Sequence, residues 1–377
     1  MITLELPFVH QLAQSLRAKD PLIQIILGPR QVGKTTGVKQ LLQKYPENQC
    51  LYFSADGAIS QAPSWLIDKW YTAKSNSKVK LLIIDEIQNI ENWSATIKQL
   101  WDEQAGENKP LKVILLGSSS LSIQKGLQES LAGRFQVHQV FHWNFEESKE
   151  AYNLSFEEFL TFGGYPGSYR FIKKPDEWVS YIKHSIIDPV IGKDILSQTR
   201  VKSPALFKQC FEIATSYPAQ EISYTKLLGQ LQDRGNTDLV KYYLQNFEGA
   251  FLLKKLFKYT NKPTLTRSSS PKLLPMCPAL YTINLDAQLN TTERGRSFEC
   301  VVGAALQRFP GNVYYWRERN YEIDFIYKYG KKLIGIEVKS GAIKSTKGFE
   351  KFKAKFPASK LIIITPENLH QLKELLC

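Results

Sequence analysis

The sequence lacks any long hydrophobic run. None of its apolar stretches approaches the about 20 residues that a membrane-spanning helix needs, and the longest, such as 113–116 and 361–364, are typical of buried strands. The first residues show no basic stretch followed by an apolar one, so a secretory signal is not expected. We therefore predict a cytoplasmic protein that does not associate with membranes.

Paired cysteines are also missing. The five cysteines lie at positions 50, 210, 277, 300 and 377 and never form a C-x-x-C pair. This odd, scattered set argues against a disulfide framework and against a zinc site. It fits a reducing compartment such as the cytoplasm.

Acidic residues are too few to balance the basic ones. The 377 residues include 49 Lys and Arg but 36 Asp and Glu, and the hydrophobic fraction of 43% excludes wholesale disorder. The net charge is +1 over residues 1–150, +5 over 151–292 and +7 over 293–377. This excess favours a polyanion partner such as DNA through counterion release, although plain solubility explains it equally well.

A glycine-rich motif follows the first β-branched run. The run 22–27 (LIQIIL) leads into GPRQVGKTT at 28–36 and then into a helical stretch. The pattern G-x-x-x-x-G-K-[ST] between a strand and a helix is typical of a phosphate-binding loop. Its glycines let the backbone turn amide groups toward an anion, and the helix N-terminus faces the same phosphates. The predicted nucleotide contacts are Gly28, Arg30, Gly33, Lys34, Thr35 and Thr36.

The catalytic roles divide between this motif and a second one at 79–86 (VKLLIIDE). Lys34 is expected to reach the β and γ phosphates, and the Thr35 hydroxyl to ligate Mg²⁺. Asp85 would hold the Mg²⁺ through its water shell, and Glu86 would polarise the attacking water. The Asp-Glu pair predicts hydrolysis, since binding needs Asp85 alone. No N-K-x-D guanine signature follows, so ATP is preferred over GTP.

Three further apolar runs, 51–54, 112–116 and 135–141, complete a sheet. Helical stretches separate them, which predicts a parallel sheet covered on both faces. Ser118 would sense the γ-phosphate or simply cap a helix. Arg134 would stabilise transition-state charge, in its own subunit or a neighbouring one of a homo-oligomer, or would pair with a local carboxylate.

The middle of the chain is interpreted as a connector followed by a candidate winged helix. Residues 151–200 are connector helices, and the pattern beyond them contains predicted helices at 205–215, 221–231 and 237–247 and apolar runs at 251–253 and 256–259. Three helices and a hairpin are typical of a winged helix-turn-helix. The third helix would enter a DNA groove, or the module would instead pack on protein and relay the nucleotide state. Residues 260–278 predict a linker that leads to a last strand at 280–283.

Carboxylates and a lysine form a pattern in the last segment. Asp324 lies in the predicted strand 322–327, Glu337 and Lys339 share one face of the next strand, and Glu299 lies on an upstream helix. We expect Asp324 and Glu337, with Glu299, to hold a second divalent metal. Lys339 would orient a water for phosphodiester cleavage. This D…E-x-K arrangement resembles the PD-(D/E)xK nuclease core, a fold that also serves for binding without cleavage.

The motifs GPRQVGKTT, LLIIDE, LLGSSS and ESLAGRF, in this order and spacing, resemble the AAA-type ATPases of bacteria and archaea. The resemblance continues through FGGYPGSY, RSFECVV, YYWRERNYEIDF and IGIEVKSG, and so covers nearly the whole chain. It implies an α/β protein with a P-loop ATPase sheet over 1–150, a helical connector over 151–200, a winged helix over 201–285 and a restriction-endonuclease-like domain over 286–377.

Three functions fit these patterns. The first is an ATPase coupled to a nucleic-acid-processing module. The second is an ATP-dependent regulatory switch or interaction protein whose last domain binds nucleic acid or protein without cutting. The third is a transcription regulator, which requires the middle segment to bind duplex DNA alone.

Overall fold

The computed structural model describes residues 4–18, 22–57, 62–117, 120–197, 201, 203–231, 236–260, 269–341 and 347–376. Its contacts divide the chain into two compact units. The first comprises Met1–Phe141 and Asp188–Arg200, and the second comprises His142–Ile187 and Val201–Cys377. Within the described residues, no helix combines the length and apolar character that crossing a membrane requires.

The first unit is built on a parallel sheet. Its strands are β1 (Ile23–Leu27), β2 (Cys50–Ser54), β3 (Leu81–Asp85), β4 (Lys112–Leu116) and β5 (Phe135–Gln139), in the spatial order β2-β3-β4-β1-β5. All of their pairings are parallel. Every residue of β1 and β3 is buried, which explains why both segments are so strongly apolar. The predicted parallel α/β sheet is confirmed.

Helices flank this sheet, and one segment joins it from far along the sequence. The helices are α1 (Pro7–Ser15), α2 (Lys34–Leu42), α3 (Pro63–Ser75), α4 (Trp93–Glu103) and α5 (Ser120–Ser130). The π-helical segment Val190–Leu196 belongs to the same unit. Because parallel strands all end at one edge of the sheet, the residues that follow β1, β3 and β4 meet there.

The second unit begins with helices and a three-stranded sheet. Its helices are α6 (Phe145–Tyr152), α7 (Phe156–Phe162), α8 (Pro175–Tyr181), the π-helical segment Ile182–Ile187, α9 (Pro204–Thr215), α10 (Tyr224–Gln230) and α11 (Thr237–Gly249). The strands are β6 (Gln220–Glu221), β7 (Leu253–Leu256) and β8 (Lys272–Pro275), in the order β6-β8-β7. Three helices and a small antiparallel sheet therefore follow one another as α9, β6, α10, α11, β7 and β8.

Two sequence expectations for this region were wrong. The strand that pairs with β7 is β8, which lies inside the proline-containing stretch expected to be a linker. The strand expected at 280–283 is instead the helix α12 (Pro278–Thr282) followed by a 3₁₀ turn, Ile283–Leu285. Proline suits the first turn of a helix because its missing N–H has no intrahelical partner there. Pro278 therefore favours a helix at this position.

The glycine-rich stretch 162–169 holds together the core of the second unit. Gly164 has φ +115°, and a Cβ built on it would lie 2.4 Å from the Cβ of Cys277. Its N–H donates to the hydroxyl of Tyr169 at 3.1 Å, and that hydroxyl also hydrogen-bonds to Ser148 Oγ at 2.8 Å. Only glycine suits both this backbone angle and this close approach. The stretch therefore has a packing role.

A four-stranded sheet completes the second unit. The elements are α13 (Thr291–Leu306), β9 (Asn312–Glu318), β10 (Tyr321–Tyr329), β11 (Lys332–Val338), α14 (Lys347–Lys355), β12 (Lys360–Ile364) and α15 (Leu372–Leu376), and the strand order is β12-β11-β10-β9. At the β9 edge, Tyr315 N donates to Phe257 O at 3.1 Å, and Tyr259 N donates to Tyr315 O at 2.7 Å. The chain just after β7 thus extends this sheet by one short strand-like segment.

Candidate nucleotide site and carboxylate cluster

The phosphate-binding motif forms the turn between β1 and α2. Gly33 has φ +91° and caps the N-terminus of α2, an angle that favours glycine. Lys34 is the first residue of α2 and is only 8% exposed. Its ammonium donates to the carbonyl oxygens of Gly28 at 2.9 Å and Pro29 at 2.6 Å. The lysine side chain therefore lies against the loop that is expected to bind a phosphate.

Burial sets the charge state of this lysine. Burial, together with the charge of Arg30, lowers the pKa of Lys34 to about 8, while the charge of Glu86 opposes the shift. A buried ammonium favours a negative ligand because nearby water does not compensate its charge. The protonated Lys34 therefore favours an anionic ligand, whereas the carboxylates of Asp85, Glu86 and Asp194 act against one.

Gly28 is required for a reason that the sequence did not indicate. A Cβ at this position would lie 2.4 Å from the backbone oxygen of Val140. The two backbone segments are held together here, since Val140 N donates to Leu27 O at 2.6 Å. Glycine is needed for close approach of two backbones rather than for an unusual φ.

Asp85 ends β3 and collects hydrogen bonds from two neighbouring elements. Its Oδ2 accepts from Thr35 Oγ1 at 2.9 Å and from the hydroxyl of Tyr52 at 2.5 Å. Its Oδ1 accepts from the backbone N–H of Glu86 at 2.8 Å. Burial, together with the bond to Asp85, raises the pKa of Tyr52, so the hydroxyl stays a donor. Thr35 and Asp85, the residues expected to hold Mg²⁺, are therefore brought together.

Glu86 follows Asp85 in an unusual backbone conformation. Its φ is +54°, in the left-handed region that a side chain rarely adopts. Gln88 Nε2 donates to Glu86 Oε2, and Gln88 Oε1 lies so close to Gly117 that a Cβ there would clash. Strained residues of this kind concentrate at functional sites. Gln88 thus links the expected catalytic glutamate to the end of β4.

A long-range ion pair fixes Arg30 of the same loop. Its Nε donates to Asp194 Oδ2 at 2.5 Å and its Nη2 donates to Asp194 Oδ1 at 2.6 Å. The Asp194 side chain is 7% exposed and lies in the π-helical segment Val190–Leu196. Burial by itself would lower the pKa of Arg30, but the bond to Asp194 and the charges of Asp194, Glu86 and Asp56 together outweigh it, so the pKa is raised. Arg30 therefore stays charged and is neutralised by a residue far along the chain.

Three further residues were expected to contact the nucleotide, namely Arg134, Ser118 and Thr36. Arg134 pairs with Asp102, its Nε donating to Oδ1 at 2.7 Å and its Nη2 to Oδ2 at 3.0 Å. This pairing is the local arrangement left open by the sequence, and action across a subunit interface stays a prediction. Ser118 lies outside the described residues. Thr36 lies in the first turn of α2.

A second group, the carboxylate cluster, consists of Glu299, Asp324 and Glu337. Glu299 lies on α13, Asp324 on β10 and Glu337 on β11. Phe325 pairs with Ile336, so Asp324 and Glu337 stand opposite each other one step further along the two strands. The β10 register shifts between Ile323 and Ile326, and such a bulge re-aims the side chain it contains.

The charge of Asp324 influences the protonation of the other two carboxylates. Burial, together with the charge of Asp324, raises the pKa of Glu299 to about 8. Burial and Asp324 likewise raise the pKa of Glu337 to about 7, although its bond with Lys339 opposes the rise. At neutral pH the carboxylate cluster therefore retains protons and carries less than its full negative charge.

The expected second metal site is not supported. Among the described residues, no group of three or more His, Cys, Asp or Glu side chains is arranged to hold a metal ion. Asp324 Oδ2 accepts from the N–H of Val338 at 2.8 Å, and Glu337 Oε2 forms an ion pair with Lys339 Nζ at 2.6 Å. Oxygens that a metal needs are thus engaged by protein donors.

Several residues of both groups escaped the sequence analysis. Tyr52, Gln88 and Asp194 contact the nucleotide site, and Lys272 and Glu322 contact the carboxylate cluster or its neighbours. A signal existed for Tyr52, because it lies two residues before Ser54 and so on the same face of β2, and Ser54 pairs with Asp85 of β3. No local pattern marks Asp194, since its partner is 164 residues away.

Three family models match successive parts of the chain. Residues 20–149 match a model described as an AAA domain. Residues 153–288 match a domain of unknown function (DUF8612), and residues 294–375 match another (DUF4143). An uncharacterized protein of Methanocaldococcus jannaschii, MJ1544, is 26% identical over 341 residues, which span 83% of this chain and 74% of that protein.

Solved structures give more distant likenesses. A Thermotoga maritima RuvB variant is 15% identical, covers 65% of this chain and 87% of its own, and has a TM-score of 0.35. The replication initiator DnaA bound to AMPPCP and single-stranded DNA is 13% identical, covers 64% of this chain and 86% of its own, and has a TM-score of 0.28. Both TM-scores are too low to show a shared fold. The match over residues 20–149 shows that this part of the chain is similar to AAA domains.

Proposed function

We propose that the protein is an ATP-binding, Mg²⁺-dependent ATPase whose nucleotide state controls a nucleic-acid-binding, nuclease-like module in the rest of the chain. One observation supports this best. The Thr35 hydroxyl donates to Asp85 at 2.9 Å. In the sequence, Thr35 directly follows the buried Lys34, and Glu86 directly follows Asp85. Groups suited to phosphate binding, metal binding and water activation therefore lie in one unit at one edge of its sheet.

Each of these residues has a distinct task in the proposed reaction. Lys34 would exchange its carbonyl partners for phosphate oxygens, and α2 would present its N-terminus to the same anion. Thr35 and Asp85 would hold Mg²⁺, which neutralises phosphate charge when it is bound. The Glu86 carboxylate would orient a water molecule and accept its proton.

Calorimetry tests the nucleotide site. We expect ATP to bind the wild-type chain in the presence of Mg²⁺ and Lys34→Ala to abolish the binding heat. The matched control is Lys125→Ala, which removes an exposed lysine from α5 in the same unit. Absence of binding heat in the wild type, or an unchanged affinity in Lys34→Ala, contradicts the proposal.

The charge distribution supports nucleic acid, with DNA first, as the partner of the module. The net charge of +5 over 151–292 and +7 over 293–377 contrasts with +1 over 1–150. Helix α14 alone carries four lysines in nine residues. The order of α9 to β8 is also compatible with a winged helix, as proposed for residues 201–285.

Fluorescence anisotropy with labelled duplex and single-stranded DNA tests this part. The logarithm of the binding constant should fall linearly with the logarithm of the salt concentration. DNA affinity should also change when ATP is added to the wild type but not when it is added to Lys34→Ala. DNA binding that is absent at low salt, or that ignores ATP, contradicts the coupled function.

Binding without cleavage is the second candidate for the nuclease-like part. It is favoured by the ion pair of Glu337 with Lys339 and by the engagement of Asp324 with a backbone N–H. Plasmid nicking in Mg²⁺ or Mn²⁺ separates the two candidates. Nicking by the wild type that is lost in Asp324→Ala and Glu337→Ala supports cleavage. Identical results for the wild type and the two variants support binding without cleavage.

A further inference from the structure

A lysine from outside the D…E-x-K pattern lies buried beside the carboxylate cluster. Lys272 belongs to β8, and its side chain is 3% exposed. Its ammonium lies 2.6 Å from Glu322 Oε1 and 3.4 Å from the backbone oxygen of Asp324. An ammonium this deeply buried is tolerated only where negative groups compensate for the lost water.

The surrounding groups are those of a cation site. The ammonium lies 5.7 Å from the centre of the Tyr315 ring and 5.9 Å from the centre of the Phe325 ring. Aromatic faces at this range attract a cation, and the effect grows when water is excluded. The lysine thus meets two rings, the Glu322 carboxylate and a backbone oxygen together, all within the second unit.

Electrostatics ties Lys272 to every member of the carboxylate cluster. Burial by itself would lower the pKa of Lys272, but the charges of Asp324, Glu322 and Glu299 outweigh it and raise the pKa. In return, the lysine charge opposes the rise in the pKa of Glu299 and of Glu337. Lys272 is therefore protonated at neutral pH and compensates the carboxylate cluster from within the protein.

We propose that Lys272 is the resident cation of the carboxylate cluster and that it takes the electrostatic place of a divalent metal there. The donor set agrees with this assignment, because oxygens of Glu322, Asp324 and Glu337 already accept from Lys272, a backbone N–H and Lys339. A Mg²⁺ or Mn²⁺ ion entering beside an ammonium that cannot reach water would meet strong like-charge repulsion. The last segment then works as a metal-independent binding module.

This inference deepens the proposed function, since it specifies how the nuclease-like module operates, and it is tested without nucleotide. Mn²⁺ is titrated into the full chain by calorimetry. We expect Lys272→Met to bind Mn²⁺ about tenfold more tightly than the wild type, because the competing charge is gone. The double variant Lys272→Met/Glu337→Gln should lose this gain. Lys328→Met, an exposed lysine on β10, is the matched control and should behave like the wild type.

Two results overturn the assignment. One is Mn²⁺ binding by the wild type that disappears in Glu337→Gln, which would mean that the carboxylate cluster already accepts a metal. The other is a Lys272→Met variant that melts cooperatively but gains no affinity for Mn²⁺. If Lys272→Met does not fold, the comparison of wild type with Glu337→Gln still decides, and equal titrations support the assignment. Failure of either kind leaves the ATP titration of Lys34→Ala untouched, so the nucleotide function is judged separately.

Discussion

The guanidinium of Arg30 and the carboxylate of Asp194 form a two-point ion pair, with bonds of 2.5 and 2.6 Å, across 164 positions of sequence. Arg30 lies in the phosphate-binding loop, and Asp194 lies in a π-helical segment of the same unit. The charge of Asp194 also acts on Lys34, where it opposes the lowering of the pKa by burial. A carboxylate is therefore placed where it opposes the approach of a polyphosphate.

Neutralising Asp194 should strengthen ATP binding. In Asp194→Asn, Arg30 keeps its charge and loses its counter-ion, so we expect the Kd for ATP to fall about three- to tenfold. Calorimetry measures the effect, and a thermal melt should show a lower Tm because a mostly buried ion pair is broken. Glu5→Gln, which breaks an exposed pair with Lys44, is the control and should change neither value. An unchanged or weaker affinity in Asp194→Asn would show that the ion pair instead holds the loop ready for nucleotide.

The depressed pKa of Lys34 predicts a pH dependence of ATP binding. Burial lowers this pKa to about 8, whereas a phosphate contact requires the ammonium form. Below this pH the lysine is already protonated and affinity should be flat. Above it, binding must take up a proton, so the Kd should rise about tenfold per pH unit.

Calorimetry from pH 7 to 9.5, in buffers of different ionisation enthalpy, measures both the affinity and the proton uptake. Lys34→Arg keeps its charge over the whole range and should lose this pH dependence. A wild-type affinity that does not change with pH would mean that Lys34 does not contact the phosphates.

Replacing Glu86 by glutamine should separate binding from turnover. The amide cannot accept a proton from water, so we expect ATP turnover to fall by about 10²- to 10⁴-fold. The Kd for ATP should stay close to that of the wild type. A coupled phosphate-release assay measures turnover, and Glu91→Gln, a neighbouring acidic residue, is the control. Equal turnover in Glu86→Gln would show that another residue activates the water.

Removing the hydroxyl of Tyr52 should weaken the support of Asp85. Tyr52→Phe loses a hydrogen bond to a buried carboxylate, for which we expect a loss of about 1.5–3 kcal/mol in the free energy of unfolding. The control is Tyr71→Phe, because Tyr71 makes a similar bond to Glu103 on an exposed surface. Urea denaturation compares the two. Equal losses would mean that the bond to Asp85 has no special weight.

The fold of the first unit was largely predictable from sequence, because β-branched runs that are buried on both faces are hard to confuse with anything else. The positions of Lys34, Thr35 and Asp85 near the ends of two strands were predictable for a related reason, as each follows or ends such a run at a fixed offset. Their roles in nucleotide binding stay predictions. Asp194 was not predictable, because it reaches the loop only through tertiary packing. Residues at a fixed local spacing could therefore be predicted from the sequence, whereas residues that contact the site only through long-range packing could not.

The second unit shows the opposite balance. The strand β8 escaped prediction because prolines surround it, yet Lys255 of β7 pairs with Leu273 at its centre. Lys272 escaped prediction for the same reason, since a lysine in a proline-rich stretch suggests an exposed loop. Burial of a charged residue depends on partners that fold in from β10, and no local sequence pattern reports them.

The short backbone connection of Phe257 and Tyr259 with Tyr315 has a mechanical consequence. It joins the chain after β7 to the outer strand of the four-stranded sheet through hydrogen bonds of 3.1 and 2.7 Å. Rotation of the chain after β7 relative to the four-stranded sheet would break both of these backbone hydrogen bonds, and buried backbone groups without partners are costly in free energy. The proposed winged helix and the segment that holds Asp324 and Glu337 are therefore expected to move as a single block, and a stimulus reaching either would displace both together.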